Sequence, residues 1–265
     1  MAAAMISGLL AKGWPAGKLR VVEPVSERAD WLRAEFGVQV SAERASIGLG
    51  AVDALVLAVK PQQMREALAG IALKPQALVL SIAAGVRLET LQQLLGPTAH
   101  YVRSMPNTPA LLGAGISGLY APPQTSTAAK ALAEQLLQAA GTTVWVDDEV
   151  QLDAVTAVSG SGPAYFFLLV EAMTAAGTEL GLKPEVAAAL AAHTALGAGR
   201  MAVEAGLEKN ISAASLRANV TSKGGTTAAA LAHMEYADFS GIVQQALAKA
   251  AARAAELGDA LSKAP

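Results

Sequence analysis

Asp53-Ala54-Leu55-Val56-Leu57-Ala58-Val59 is apolar throughout after its first residue and is closed by Lys60-Pro61. A short run with no polar alternation fits a strand buried on both faces, the kind found in parallel sheets that helices cover on either side. The flanking sequence repeats the theme. Upstream, Met1–Ala11 reads as a helix, Leu19–Val22 as a strand ending at Glu23-Pro24, Ser26–Glu35 as a helix capped by Ser26, and Val38–Val40 as a short strand. Downstream, helix Gln62–Ala69, strand Leu78–Ser81 and helix Leu88–Leu95 continue the alternation. The β-like run Ala99–Val102, helix Thr127–Ala140 and strand Thr142–Val146 complete it. Alternation of this kind predicts an α/β architecture around a parallel sheet.

After Asp147-Asp148-Glu149 the character changes. Long helical runs dominate, including Ala164–Leu180, Pro184–Ala205 and Phe239–Leu261, with Pro163 and Pro184 at first-turn positions. The expected fold class is therefore α/β plus all-α: a Rossmann-type doubly wound sheet over residues 1–148, then an all-helical domain over 149–265. Such a plan recurs among dehydrogenases but says nothing about substrate.

Composition narrows the function. The chain has 265 residues, 53% apolar and 16% charged, with aromatics at 4%, so its cores must be built from Ala, Leu and Val. Small-residue helix faces leave apolar patches that favour oligomers. Acidic and basic residues nearly balance at 22 and 20, and no basic run marks a nucleic-acid footprint. No cysteine is present, which excludes disulfides and thiolate chemistry, and the three histidines lack ligand spacing, so no metal site is expected. No apolar run reaches the ~18 residues of a membrane span without glycine or charge. Met1–Leu10 lacks the basic leader of a signal peptide. A cytoplasmic location is expected.

Three polar clusters interrupt the apolar pattern. Val220-Thr221-Ser222-Lys223-Gly224-Gly225-Thr226-Thr227 lies between alanine-rich helices, where it would expose backbone N–H groups at a positive helix terminus suited to a small carboxylate. A plain turn capped by Thr226 is the alternative. Met105-Pro106-Asn107-Thr108-Pro109 follows the Ala99–Val102 run, and Ser159-Gly160-Ser161-Gly162-Pro163-Ala164-Tyr165 divides two apolar segments. The last of these is unlike a serine-hydrolase elbow, which needs a preceding strand and a histidine partner; close helix crossing at the glycines is the expected reason for it.

Together these clusters resemble Δ1-pyrroline-5-carboxylate reductase, and Leu57-Ala58-Val59-Lys60-Pro61-Gln62, Ser81-Ile82-Ala83-Ala84-Gly85-Val86 and Asp153-Ala154-Val155-Thr156 match in the same order. The resemblance implies NADPH- or NADH-dependent reduction of pyrroline-5-carboxylate to proline, by a homodimer or larger oligomer whose active site forms where two helical domains interlock. It implies that Gly224, Gly225, Thr226 and Thr227 hold the substrate carboxylate, that Thr227 orients the ring nitrogen as the catalytic residue, and that Glu149 lies near the substrate. It assigns Lys60, Pro61, Ile82, Ala84 and Asn219 to the cofactor. Glu23, at the end of the Leu19–Val22 strand, which corresponds to the family's second, stands where an acidic residue would hold a ribose 2′-hydroxyl and so tilts towards NADH, while Arg28 one turn later could reverse that. The family has proline where this chain has Lys223. A strand and a Gly-x-Gly-Asn turn precede the first helix in the family and are absent from this sequence, which predicts weakened cofactor binding for the chain as it stands. Other expectations are a related imine or β-hydroxyacid reductase, although neither Lys209 nor Lys223 has the latter's motif, and a non-catalytic helical dimer.

Overall fold

The structure, a computed structural model, describes residues 1–97 and 99–263; the side chains of residues 207, 208 and 261–263 lie outside the description. It divides into two compact units, one formed by Met1–Ser161 with the C-terminal residues from Lys249, the other by Gly162–Ala248. The sheet unit thus runs past residue 148 and takes back the end of the last helix.

In the first unit the chain runs through α1 (Ala2–Ala11), β1 (Arg20–Val22), α2 (Ser26–Phe36), β2 (Gln39–Ser41), β3 (Ala54–Leu57), α3 (Met64–Leu68), β4 (Leu78–Ser81) and α4 (Leu88–Leu95). It continues through β5 (His100–Met105), β6 (Gly115–Tyr120), α5 (Thr127–Gln138), β7 (Gly141–Trp145) and α6 (Gln151–Val155). The strands form two sheets: the parallel pair β1–β2, and a five-stranded sheet in the order β3-β4-β5-β6-β7. Within the larger sheet β3, β4 and β5 are parallel, β5 and β6 are antiparallel, and β6 and β7 are parallel again. The expected Rossmann-type parallel sheet is present in two parts, with one correction, the reversal at β6.

Strand β6 is absent from the sequence reading, because Gly115-Ile116-Ser117-Gly118 carries weak strand propensity. Packing explains the second glycine: a Cβ on Gly118 would lie 2.7 Å from Val155 Cγ1, so α6 can lie on the strand only over a bare backbone.

Both faces of the larger sheet are covered. On one, Leu78, Leu80, Val102 and Leu119 pack against Met5 and Leu9 of α1 and Ala133, Leu136 and Leu137 of α5. On the other, Leu57, Val79 and Tyr101 meet Met64, Leu68, Leu88 and Leu91. Strand β4 is buried along its whole length, which is why its sequence shows no alternation. A third cluster joins Ile6 of α1 to Ala29 and Leu32 of α2 and Val40 of β2. Ser26 is the first residue of α2 and not its cap; Val25 holds the cap position without a side-chain bond.

In the second unit α7 (Gly162–Glu179) and α8 (Pro184–Val203) pack together, followed by α9 (Ala213–Asn219), α10 (Thr226–Tyr236) and the first part, up to Ala248, of α11 (Phe239–Lys263). Gly177 brings α7 close to α8, since a Cβ there would meet Ala187 Cβ at 3.1 Å. Little else is covered. Phe166, Phe167 and Leu168 are each at least 60% exposed, and Leu190, Leu196 and Ile242 are also open. The helical stretches Gln151–Glu179 and Pro184–Gly206 have mean hydropathies of 1.2 and 1.3 over 18 residues, with only 11% of each window buried. Glycines and the charges of Glu171 and Arg200 interrupt them, but both are long and apolar enough for a bilayer by composition. Their exposed apolar faces require a cover.

Candidate functional site

The polar loop of the second unit adopts the geometry that its sequence suggests. Residues 220–225 leave α9 and enter α10 through a turn in which the Gly225 N–H donates to Ser222 O at 3.0 Å. Gly224 has φ +75°, a conformation that costs glycine nothing and other residues strain. Gly225 is the N-cap of α10 and supplies no side-chain acceptor. The capped-turn alternative for Thr226 is thereby excluded. Among the described residues neither the Thr226 nor the Thr227 hydroxyl has a hydrogen-bond partner, and Thr227 is half-buried. The first N–H groups of an eleven-residue helix therefore point outward uncapped, with Lys223 exposed beside them. Such an end attracts a carboxylate through both its dipole and its free donors.

Asn219, in the same unit, is the last residue of α9 and is exposed, with Val220 holding the C-cap position. The Thr221 hydroxyl donates to Arg217 O at 2.6 Å and ties the loop to α9.

In the first unit the expected cofactor residues each follow the carboxyl end of a parallel strand. Glu23 follows β1, Lys60 and Pro61 follow β3, and Ile82 and Ala84 follow β4. Ligands of doubly wound folds bind at this end of the strands. Lys60 is exposed and has no ion pair among the described residues, Ala84 is exposed, and Ile82 is half-buried against the α1–α5 side of the sheet. The Met105–Pro109 cluster ends β5 and starts a 3-10 turn, in which Asn107 Oδ1 accepts the Ile116 N–H at 3.0 Å. That asparagine builds the β5–β6 connection.

The Ser159–Gly162 segment is also architectural. Thr156–Gly160 forms a π-helical turn, and the Ser159 hydroxyl is spent on Val155 O. A Cβ on Gly160 would lie 2.5 Å from Met105 Cε. The glycine therefore admits a side chain from the end of β5, where the sequence suggested a helix crossing.

Glu149 differs most from expectation. Its Oε1 accepts from Arg103 Nη1 and from the Leu88 N–H, both at 2.8 Å. The carboxylate caps α4 from a distant segment, because Arg87 at the N-cap offers no side-chain bond, and it neutralises a guanidinium that is only 5% exposed. Its Oε1 is thus a structural brace, a role that the sequence reading did not foresee. Arg103 and Arg87 were missed by the sequence reading. Arg87 lies 3.6 Å from Asp153 and 3.4 Å from Asp259, and so holds the end of α11 on the sheet unit. The available signal for Arg103 was a charge directly after the apolar pair Tyr101–Val102, since a buried strand carries a charge only against a partner. Burial pushes the neighbouring Tyr120 phenol up, and the charges of Glu149 and Asp148 add to the shift.

An uncapped helix end suited to an anion and a nucleotide-type strand edge on one chain direct comparison to the imino-acid reductases. Residues 149–257 match the family model described as pyrroline-5-carboxylate reductase dimerisation. A relative of that name from Pseudomonas aeruginosa is 48% identical over 99% of this chain and 95% of its own length. The chain belongs to the pyrroline-5-carboxylate reductase family. Residues 1–85 match a second model, NADP oxidoreductase coenzyme F420-dependent. The solved reductase of Coxiella burnetii is 36% identical, covers 97% of this chain and 94% of its own, and superposes with a TM-score of 0.86. That of Plasmodium falciparum, with NADP bound, is 25% identical over 97% and 94%, with a TM-score of 0.80. The reductase is thus an NAD(P)H-dependent oxidoreductase with a dinucleotide-binding sheet unit and a helical self-association unit. The family model begins at 149, whereas the compact helical unit begins at Gly162; α6 and the π-turn belong to the former and fold with the sheet.

Proposed function

We propose that this reductase holds the carboxylate of Δ1-pyrroline-5-carboxylate on the N-terminal amides of α10 while the imine is reduced to L-proline. The observation that carries the assignment is the uncapped α10 terminus behind Gly224-Gly225. The nicotinamide dinucleotide supplies the hydride. Lys60 offers a free cation for a phosphate, and Ile82 and Ala84 offer small, accessible surface for the cofactor's approach. A hydride forms the new C–H bond at the imine carbon, the C=N π pair moves to nitrogen, and nitrogen ends with a proton drawn from solvent.

Thr227 orients the ring nitrogen through its unpartnered hydroxyl; a threonine is too weak an acid to be the ultimate proton source. Asn219 contributes to the nicotinamide side. Glu149 acts through the fold, by holding Arg103 and α4. The exposed apolar faces of α7, α8 and α11 are covered by a second copy, in keeping with the dimerisation family over 149–257. That assembly also removes the need for a membrane around these helices. Soluble substrate and cofactor make the cytoplasm its site of action.

Steady-state kinetics of two variants test the assignment. Thr227→Ala should lower kcat and kcat/KM together by about 10–100-fold, the loss of one hydrogen bond to a group gaining charge. Stability should hardly change, because Thr227 caps nothing. Gly225→Val would press on Ser222 Oγ at 2.5 Å and Ser222 O at 3.2 Å and obstruct the amides, so KM should rise most. An unchanged kcat for Thr227→Ala withdraws the catalytic role.

A further inference from the structure

Glu23 leaves β1 with its backbone N–H donated to Ser41 O of β2 at 3.0 Å. Its Oε1 accepts the Val25 N–H at 3.1 Å, a turn over Pro24 that fixes the half-buried carboxylate at the carboxyl end of the strand. A carboxylate there accepts both hydroxyls of an adenosine ribose. It cannot accept anything from a 2′-phosphate, which at neutral pH has no proton to give and adds nearly two negative charges.

A neighbouring cation could reverse this preference, so the basic groups of the surrounding elements decide the question. Arg28 is the nearest in sequence. Its guanidinium carbon lies 4.2 Å from the Trp31 ring centroid, and Trp31 meets Phe36 edge-on at 5.3 Å. The guanidinium is thereby stacked one turn along α2. Arg20 Nη1 donates to Ile47 O, Arg33 to Asp30 and Val40 O, and Arg44 to Glu66 O and Ala67 O. Each of these guanidiniums is directed to a carbonyl, a carboxylate or a ring, and the charge fixed at the carboxyl end of β1 itself is that of Glu23.

We propose that Glu23 makes this reductase select NADH over NADPH, the inference resting on the dinucleotide-binding reading of the sheet unit. The NADP-bound relative from Plasmodium falciparum need not share the preference at 25% identity. Calorimetric titration of the full chain with NADH and NADPH, without substrate, measures it directly. NADH should bind tighter by about tenfold, or ~1.4 kcal/mol. Glu23→Gln keeps an acceptor for the Val25 N–H and removes the charge, so the ratio of the two dissociation constants should collapse towards one with the thermal midpoint unchanged. Arg28→Ala should leave the ratio as it is. Equal or tighter NADPH binding by the wild-type chain overturns the proposal. So does an unaltered ratio in Glu23→Gln, or a selective loss of NADPH affinity in Arg28→Ala. If neither dinucleotide binds, the dinucleotide reading itself fails and the preference with it.

Discussion

Removing the charge of Glu149 should destabilise the sheet unit more than any surface carboxylate would. The variant Glu149→Gln retains an oxygen for the Leu88 N–H and leaves Arg103, 5% exposed, without its counter-charge. Arg103 has little in reserve, because its Nε is already buried without a partner. Orphaning a buried charge costs ~3–5 kcal/mol in fully desolvated pairs. Glu149 is 20% exposed, so water can reach the vacated side, and a loss of about 2–3 kcal/mol is expected. Glu149→Ala also uncaps α4, for a further ~1 kcal/mol. With a urea dependence of about 2 kcal/mol per molar, the midpoint for Glu149→Gln should fall by about 1 M or slightly more. The double variant Arg103→Met with Glu149→Leu should regain most of the loss, since a well-packed apolar pair can replace a buried ion pair. Urea unfolding followed by circular dichroism measures all three, and KM for the imine measured on folded Glu149→Gln should stay near wild type. A Glu149→Gln midpoint within experimental error of wild type, or a double variant less stable than Glu149→Gln, would refute the brace. A large rise in KM with stability intact would return Glu149 to the substrate.

Other consequences are as direct. Gly8→Ala improves helix propensity by ~1 kcal/mol, yet its Cβ would sit 1.8 Å from Ala139 O, so chemical denaturation should show a net loss of about 2 kcal/mol. Burial raises the Tyr101 phenol above its ordinary 10.0, while its hydroxyl donates to Gly96 O. The folded state therefore favours the protonated phenol. Its stabilising contribution is complete below pH 10 and is lost as pH rises through the raised value. Tyr101→Phe should flatten the alkaline limb of a stability-versus-pH profile. Light scattering at micromolar concentration should return at least a dimer, and Phe167→Glu, placed on the exposed face of α7, should shift it towards monomer with both compact units still folded.

Sequence alone carried the class of the fold, because sheet strands covered by helices, such as Leu78–Ser81, buried throughout, and the partly buried Ala54–Leu57, are written in apolar residues without alternation. It also carried the loop of the second unit, because a Gly-Gly pair ahead of a helix without a capping side chain is a local backbone fact. Tertiary structure decided what depends on distant partners. Strand β6, with glycines where propensity asks for β-branched residues, is legible only once Val155 is seen on Gly118. The reversal of β6 against β5 follows from pairing, which no single strand's composition records. The same holds for charge. Glu149, in an acidic run beside a domain junction, looks solvated or catalytic in sequence, and only its meeting with Arg103 and the open end of α4 fixes its job. Local propensity and burial leave periodic traces along a chain, whereas an ion pair between residues 46 positions apart leaves none.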